Sequence, residues 1–143
     1  MSDPSRSTYV GAAPFLTAAG ARAVLAAALD EAERLGVPQC VAVVDAGGHL
    51  LAFGRSDGAR IGSIAIAQTK AVSAATRKRA TAEEAGGDVL AGVRLALAAD
   101  RLTGIGGGIP LVSGGVVIGG IGVSSGTVDE DTAVANAGVA ALP

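Results

Sequence analysis

One stretch decides how this chain folds: residues 116–123, which read VVIGGIGV. Its β-branched residues predict a strand, and alternation places Gly120 and Gly122 on the same face of it. Glycine inside a strand costs stability, so glycines that share a face mark a place where a helix or a ligand approaches the backbone closely. Because the predicted helices are rich in alanine, we expect a helix to pack here, with a ligand as the alternative.

The sequence on either side of this strand predicts an α/β domain of the α+β type. The predicted elements are, in order, a helix from Thr17 to Gly36, a strand over 39–46, a return strand from His49 to Arg55, a helix from Ile61 to Lys78, helical starts at Thr81 and Asp88, about three strands between Leu102 and Val123, and a helix from Thr127 to Leu142. Hairpin-paired strands with helices between them indicate an antiparallel sheet with helices packed on it. Residues 1–16 read as an irregular arm and residues 17–143 as a single domain.

The composition argues against several classes of partner. The chain has 143 residues, with 11 Lys and Arg against 13 Asp and Glu, and a net charge of −2. A nucleic-acid-binding domain would show a basic surplus, so no nucleic-acid partner is expected. No apolar run approaches the ~20 residues that span a membrane, and the N-terminus lacks the pattern of a signal peptide. We therefore expect a cytoplasmic protein without a membrane partner.

Small side chains dominate the apolar part of the sequence. Hydrophobic residues make up 50% of the chain, but one Tyr and two Phe are the only aromatic residues. A domain of this size removes about two-thirds of its unfolded surface from water, and each small side chain buries little area. The apolar surface that remains exposed predicts a homo-oligomer.

The common cofactor and metal motifs are missing from the sequence. Residues 104–109 read GIGGGI, which places Ile109 where a dinucleotide-binding GxGxxG motif has its third glycine. No phosphate-binding GxxxxGK[ST] motif occurs. Cys40 is the single cysteine and His49 the single histidine, and His49 has no ligand-type residue three or four positions later. We expect no metal site and no permanent cofactor, with haem kept as an alternative.

Lys70 is the side chain best suited to chemistry. It lies in the middle of the predicted helix 61–78, on a face that is otherwise largely apolar. Burial would lower the pKa of its ammonium group and suit it to proton transfer, with Asp131 or Asp57 assisting. An ion pair with Asp45, with Asp57 or with a neighbouring subunit is an equally good interpretation.

Two backbone features could meet a ligand. The loop Gly106–Gly108 offers backbone N–H groups that could steady a developing oxyanion. Thr127 and Glu130 form the capping-box pattern S/T-x-x-E at the start of the last predicted helix. Acidic residues already complement that helix terminus, so a neutral or cationic ligand group suits it better than an anion. Simple helix capping is the alternative.

Several segments together resemble the GlcG/HbpS family. They are residues 43–50 (VVDAGGHL), 53–59 (FGRSDGA), 67–71 (AQTKA), 106–111 (GGGIPL) and 119–127 (GGIGVSSGT). The resemblance covers about residues 17–142, with the segments in the same order. It implies a profilin-like, three-layer α/β/α domain with a five-stranded antiparallel sheet, assembled into dimers or into larger rings up to octamers.

The activity implied by this resemblance is less definite than the fold. Family members include haem-binding proteins, C-terminal domains of corrinoid adenosyltransferases, lyases that act on hydroxylamino-aromatic acids, and proteins of catabolic or natural-product gene clusters. Members commonly carry an aromatic residue and a Pro-Thr pair after the central helix, of which only Thr81 remains here. The conventional haem ligands of this chain are limited to His49, Cys40, Tyr9 and Met1, which weakens the haem interpretation. Ligation by a threonine, or weak ligation at the surface, is the remaining alternative.

Two functional hypotheses remain. The first is an enzyme without a permanent cofactor, of lyase, isomerase or dehydratase type, acting on a small organic metabolite. The second is a haem- or tetrapyrrole-binding protein without catalysis, in which the glycines make room for a flat ligand. The predicted catalytic residues are Lys70, Asp131 and Asp57, and the predicted ligand-binding residues are Gly106, Gly107, Gly108, Arg55, Thr81 and Thr127.

Overall fold

The computed structural model describes residues 9–84, 86 and 88–143. In chain order the elements are α1 (Ala18–Leu35), β1 (Cys40–Asp45), β2 (Leu50–Arg55), α2 (Ser63–Arg77), α3 (Thr81–Glu84), α4 (Val89–Ala98), β3 (Gly108–Ser113), β4 (Val116–Ser124) and α5 (Val128–Val139). Residues 9–16 of the predicted N-terminal arm contain no helix or strand, while residues 1–8, including Met1, lie outside the described residues. Each helix in the described residues is too short or too polar to cross a membrane.

Local sequence signals set the ends of the two helices in one layer. The hydroxyl of Thr17 accepts a hydrogen bond from the N–H of Gly20 at 3.0 Å, and Gly36 ends α1 with φ at 69°. The predicted capping box of α5 is present, because Thr127 and Glu130 each accept the backbone N–H of the other. Both helices pack on one face of the sheet, in a core that includes Ala21, Val24, Ala28, Val41, Val43, Ile121, Val123, Val134 and Ala135.

The sheet is antiparallel and has the strand order β2-β1-β4-β3. β1 lies inside the sheet and is buried along nearly its whole length, as its apolar run predicts. Gly48 has φ at 83° in the turn between β1 and β2, a backbone conformation that favours glycine. β2 and β3 form the two edges, and β3 contains Pro110, whose missing N–H is tolerated in an edge strand.

The other face of the sheet is covered by α2. The glycine face of β4 lies directly under this helix. A Cβ on Gly120 would stand 2.5 Å from the carbonyl oxygen of Ala71, and one on Gly122 would overlap the carbonyl oxygen of Ala67. The expectation that a helix packs against these glycines is confirmed, and so is the three-layer α/β/α arrangement.

The expected number of five strands is too high by one, because the described residues form a sheet of four strands. The first of the three strands predicted after Leu102 is an irregular segment that leads into β3. Ser73 of α2 explains the difference. Its hydroxyl donates to the carbonyl oxygen of Thr103 and accepts the N–H of Thr103, both at 3.2 Å. A side chain thus satisfies backbone groups that a strand would have paired in a ladder.

Candidate ligand-binding site

A pocket of about 450 Å³ opens between α3, α4 and the loop that precedes β3, and we call it the α3–α4 pocket. Its walls consist of Ala82, Asp88, Gly92, Val93, Ala96, Thr103, Gly104, Ile105, Gly106 and Val128. Asp88 and Thr103 supply the only polar side chains among these ten described residues. The volume and the apolar walls are typical of small-molecule sites.

Buried hydroxyl groups hold the floor of this pocket, residues 103–106, from behind. Ser73 bonds to Thr103 from α2. From α3, the hydroxyl of Thr81 donates to the carbonyl oxygen of Ile105 at 2.6 Å and accepts the N–H of Gly108 at 3.0 Å. The side chains of Ser73 and Thr81 are both fully buried. The position of the floor is therefore set by hydrogen bonds from two helices, α2 and α3.

Lys70 reaches from one layer of the fold to another. α2 and α5 pack on opposite faces of the sheet, yet Nζ of Lys70 lies 2.9 Å from Oδ2 of Asp131 on α5. If the β3–β4 ladder continued by one more residue pair, Val123 would exchange both backbone hydrogen bonds with Gly107. Here the N–H of Val123 donates to the carbonyl oxygen of Gly107 at 3.0 Å, and the carbonyl oxygen of Val123 accepts from Nζ of Lys70 at 2.8 Å. The ammonium group thus closes the end of the β3–β4 ladder.

Two glycines leave the space that Lys70 occupies. Gly107 has φ at 119°, and a Cβ there would stand 2.7 Å from the carbonyl oxygen of Val123 and 2.9 Å from Nζ of Lys70. A Cβ on Gly108 would stand 2.5 Å from the carbonyl oxygen of Lys70. Two of the three loop glycines predicted to offer N–H groups to a ligand, Gly107 and Gly108, pack closely on Lys70, and the N–H of Gly108 already bonds to Thr81.

Asp131 is buried and fully engaged. Its exposed fraction is 3%, and that of Lys70 is 1%. While Oδ2 pairs with Lys70, Oδ1 accepts the N–H of Gly126 at 2.9 Å. Burial lowers the pKa of Lys70 below its ordinary value, and the hydrogen bond and charge of Asp131 oppose that effect. The pair therefore links α2, β4 and α5 through interactions shielded from water.

Gln39 is the least satisfied polar side chain near this pair. It is fully buried, and neither Oε1 nor Nε2 has a hydrogen-bond partner among the described residues. A Cβ on Gly126 would stand 2.6 Å from Nε2 of Gln39 and 3.0 Å from Oδ1 of Asp131, so the amide lies beside the buried carboxylate. An unpaired buried amide is costly, which makes Gln39 a weak point in the packing of this end of the sheet.

The predicted site residues Arg55 and Asp57 lie in a different place. Both line a second groove of about 530 Å³, between the end of α1 and the end of β2. His49 lies in the β1–β2 turn, with Nδ1 3.2 Å from Oδ1 of Asp45. Among the hydrogen bonds and ion pairs of the described residues, those of Lys70 involve neither Asp45 nor Asp57.

The structure brings most of the other predicted residues together, although only one of them is a wall residue of the described pocket. Lys70, Thr81, Gly107 and Gly108 lie behind the floor, and Asp131 joins them from α5. Gly106 is the only one of the predicted residues among the ten that form the described pocket walls. Thr127 caps α5 one residue before the wall residue Val128.

Sequence reasoning missed Ser73, Gln39 and the walls that α4 contributes. Ser73 lies in an apolar helix and Gln39 precedes an apolar strand, and neither position carries a local signal of its contacts. For α4 a signal was present. The sequence of α4, VLAGVRLALA, contains one charged residue, and a short helix that is apolar on most of its surface is expected to contact a ligand or a partner.

Comparison with known proteins places this geometry in a family. A family model described as haem degrading protein HbpS-like matches residues 16–140. Protein GlcG from Escherichia coli (strain K12) is 40% identical over 106 residues, which make up 73% of this chain and 77% of GlcG. The crystal structure of the PduOC–haem complex is 32% identical with a TM-score of 0.81, covering 90% of this chain and 96% of that one. The crystal structure of HbpS is 32% identical with a TM-score of 0.85, covering 95% and 96%.

Proposed function

The chain belongs to the HbpS-like family, and on that premise we propose that it binds a haem-type tetrapyrrole in the α3–α4 pocket. Two comparisons support a ligand of this kind: the family is described as haem degrading, and one structure of similar fold is a complex with haem. The observation that carries the proposal in this chain is the pocket itself. Its volume of about 450 Å³ and its apolar walls suit a large part of a flat macrocycle.

The pocket fits the macrocycle better than it fits the iron. Apolar side chains such as Val93, Ile105 and Val128 suit the faces of a porphyrin ring. None of the ten residues in the described walls is His, Cys, Met or Tyr, the side chains that usually ligate haem iron. Haem would be held in this pocket by its ring, without an axial ligand from the walls.

Lys70 and Asp131 give little support to the lyase, isomerase or dehydratase expected from the sequence. Their polar atoms satisfy each other and nearby backbone groups. Both residues are at most 3% exposed, and neither is among the pocket walls. A proton passed between them would stay inside the protein. We infer that the pair holds the pocket floor and the end of the sheet in place.

Titration with haemin, followed by absorption, tests the proposed binding. We expect a shift of the Soret band that saturates at equal amounts of haemin and chain. Ala96→Phe places a ring in the pocket and should weaken binding by at least about tenfold, or about 1.4 kcal/mol. Ala98→Phe is the matched control, since Ala98 ends the same helix and is not a wall residue. Absent binding, or binding that Ala96→Phe leaves unchanged, would overturn the proposal.

We also propose that copies of this chain associate. Large apolar side chains are unusually exposed in the described residues: Tyr9 at 81%, Val10 at 80%, Phe15 at 77% and Ile61 at 76%. Covering such residues is the ordinary reason for subunit contacts. Sedimentation velocity over a range of concentrations should show species larger than a monomer, and a monomer at all concentrations would refute association.

A further inference from the structure

We infer that the α3–α4 pocket recognises the macrocycle and not the metal, so that metal-free porphyrin binds as tightly as haemin. The inference rests on the proposed function and names its ligand class: a flat, apolar ring system whose carboxylates stay outside. The inference depends on the chemistry of the pocket walls.

The two polar wall side chains already have partners. The carboxylate of Asp88 accepts the N–H of Leu90 at 2.9 Å and so caps α4. The hydroxyl of Thr103 accepts the N–H of Ile105 at 3.1 Å. Neither side chain is a good ligand for haem iron, and both already accept a backbone hydrogen bond from a neighbouring residue. Binding energy in the described pocket therefore comes from burial of apolar surface, which a metal ion does not change.

The charge of the walls sets a second limit on the ligand. Asp88 is the only charged residue among the ten described wall residues, and no Lys or Arg accompanies it. A propionate placed inside would lose its water without gaining a cation, and Asp88 would repel it. Propionates that stay outside the pocket still experience the charge of Asp88, and esterified carboxylates do not. A porphyrin ester should therefore bind at least as tightly as the free diacid.

The conventional iron ligands of the described residues lie away from the pocket walls. His49 lies in the β1–β2 turn with its ring beside Asp45, and Cys40 is fully buried in β1. Tyr9 is exposed in the segment before α1. If iron ligation drove binding, the exposed His49 ring is the described group best placed to supply it, at a site distinct from the pocket.

The experiment compares haemin, protoporphyrin IX and protoporphyrin IX dimethyl ester on the same protein and on three variants. We expect haemin and protoporphyrin IX to have Kd values within about threefold of each other, with the ester equal or tighter. Ala96→Phe should weaken all three probes, and His49→Ala should weaken none. Asp88→Asn keeps a good helix cap and should strengthen the diacids but not the ester.

The outcomes separate this inference from the proposed function. Haemin that binds at least about tenfold tighter than protoporphyrin IX overturns metal-independent recognition and leaves tetrapyrrole binding standing. A difference that His49→Ala removes would identify His49 as the iron ligand. Probes that all fail to bind, or that bind equally to Ala96→Phe, overturn the proposed function itself. A diacid that weakens in Asp88→Asn, while the ester does not, overturns the electrostatic part of the inference.

Discussion

The ammonium group of Lys70 and the carboxylate of Asp131 lie 2.9 Å apart, although their helices pack on opposite faces of the sheet. The contact is made where β3 begins, because Gly107 has no side chain to fill that space. One ion pair thus joins all three layers at the end of the sheet next to the α3–α4 pocket. Disturbing it should affect stability first and the pocket second.

Replacing Lys70 tests the structural role of this pair. Lys70→Met keeps much of the side-chain volume but leaves the Asp131 carboxylate buried without its partner. Removing one member of a buried pair costs about 3–5 kcal/mol, so we expect a loss of that size in the free energy of unfolding. Urea denaturation followed by far-ultraviolet circular dichroism measures it.

Two further variants control this result. Lys78→Met removes an exposed lysine just after α2 and should cost less than about 0.5 kcal/mol. Lys70→Met combined with Asp131→Leu removes both charges and should recover part of the loss. A loss below about 1 kcal/mol in Lys70→Met alone would contradict the inferred structural role.

Thr81 should matter to the pocket without touching a ligand. Thr81→Val keeps the shape of the side chain but leaves the N–H of Gly108 and the carbonyl oxygen of Ile105 without their partner. Each orphaned group costs about 1–3 kcal/mol, so stability should fall by at least about 2 kcal/mol and porphyrin affinity should fall with it.

Thr76→Val is the matched control for Thr81. The Thr76 hydroxyl donates to the carbonyl oxygen of Val72 within α2, and that carbonyl is also available to its own helix. We expect little change in stability or porphyrin affinity in this variant. Equal effects of the two substitutions would refute a specific role for Thr81 in holding the floor.

Gly122 should not accept even one methyl group. A Cβ there would overlap backbone atoms of Ala67 and Ala71, which cannot move without shifting α2. We expect Gly122→Ala to lower the free energy of unfolding by about 3 kcal/mol, the upper range for an overpacked core. Gly62→Ala is the control, because a Cβ on Gly62 would meet nothing within 4 Å. Similar denaturation midpoints for both variants would disprove the close approach of α2.

The β1–β2 turn should lose stability in acid through Asp45. Partial burial raises the pKa of Asp45, but hydrogen bonds from the N–H groups of His49 and Gly47, both at 2.9 Å, outweigh it and leave the pKa below its ordinary value. The pKa of Asp45 is therefore lower in the folded state than in the unfolded state. Its charge stabilises the fold at a pH above the unfolded-state pKa, and this stabilisation is lost as the pH falls through the folded-state pKa.

Asp45→Ala is therefore expected to cost about 1 kcal/mol at neutral pH, and the cost should shrink between about pH 4 and pH 2. Unfolding free energies of both proteins across this range measure the change. Asp45→Asn keeps an acceptor oxygen and should lose less at neutral pH. A cost in Asp45→Ala that is the same at every pH would show that the charge contributes nothing.

The parts of the fold that local chemistry controls could be predicted from the sequence. Thr17 and Thr127 begin their helices, and Gly36 ends α1, where the capping patterns predict, because each cap depends on residues within one turn. The close contact at Gly120 and Gly122 was also predictable, since few other reasons put two glycines on one face of a strand.

Contacts between distant residues were beyond such reasoning. Lys70 and Asp131 are 61 positions apart, and no spacing rule selects Asp131 over Asp45 or Asp57 as the partner. The prediction of a fifth strand was wrong for the same reason, because the hydroxyl that bonds to the backbone of Thr103 belongs to Ser73, 30 positions earlier. The pocket walls likewise depend on how α4 lies over that loop, which is a matter of tertiary packing.

Pro110 has a consequence for how copies of this chain can meet. Of the two sheet edges, the β3 edge lacks one N–H donor at Pro110, so a foreign strand cannot pair along its full length. The β2 edge, formed by Leu50–Arg55, carries no proline. A second molecule that extends the sheet would therefore find fewer backbone donors along β3 than along β2, which makes β3 the poorer template for edge-to-edge association.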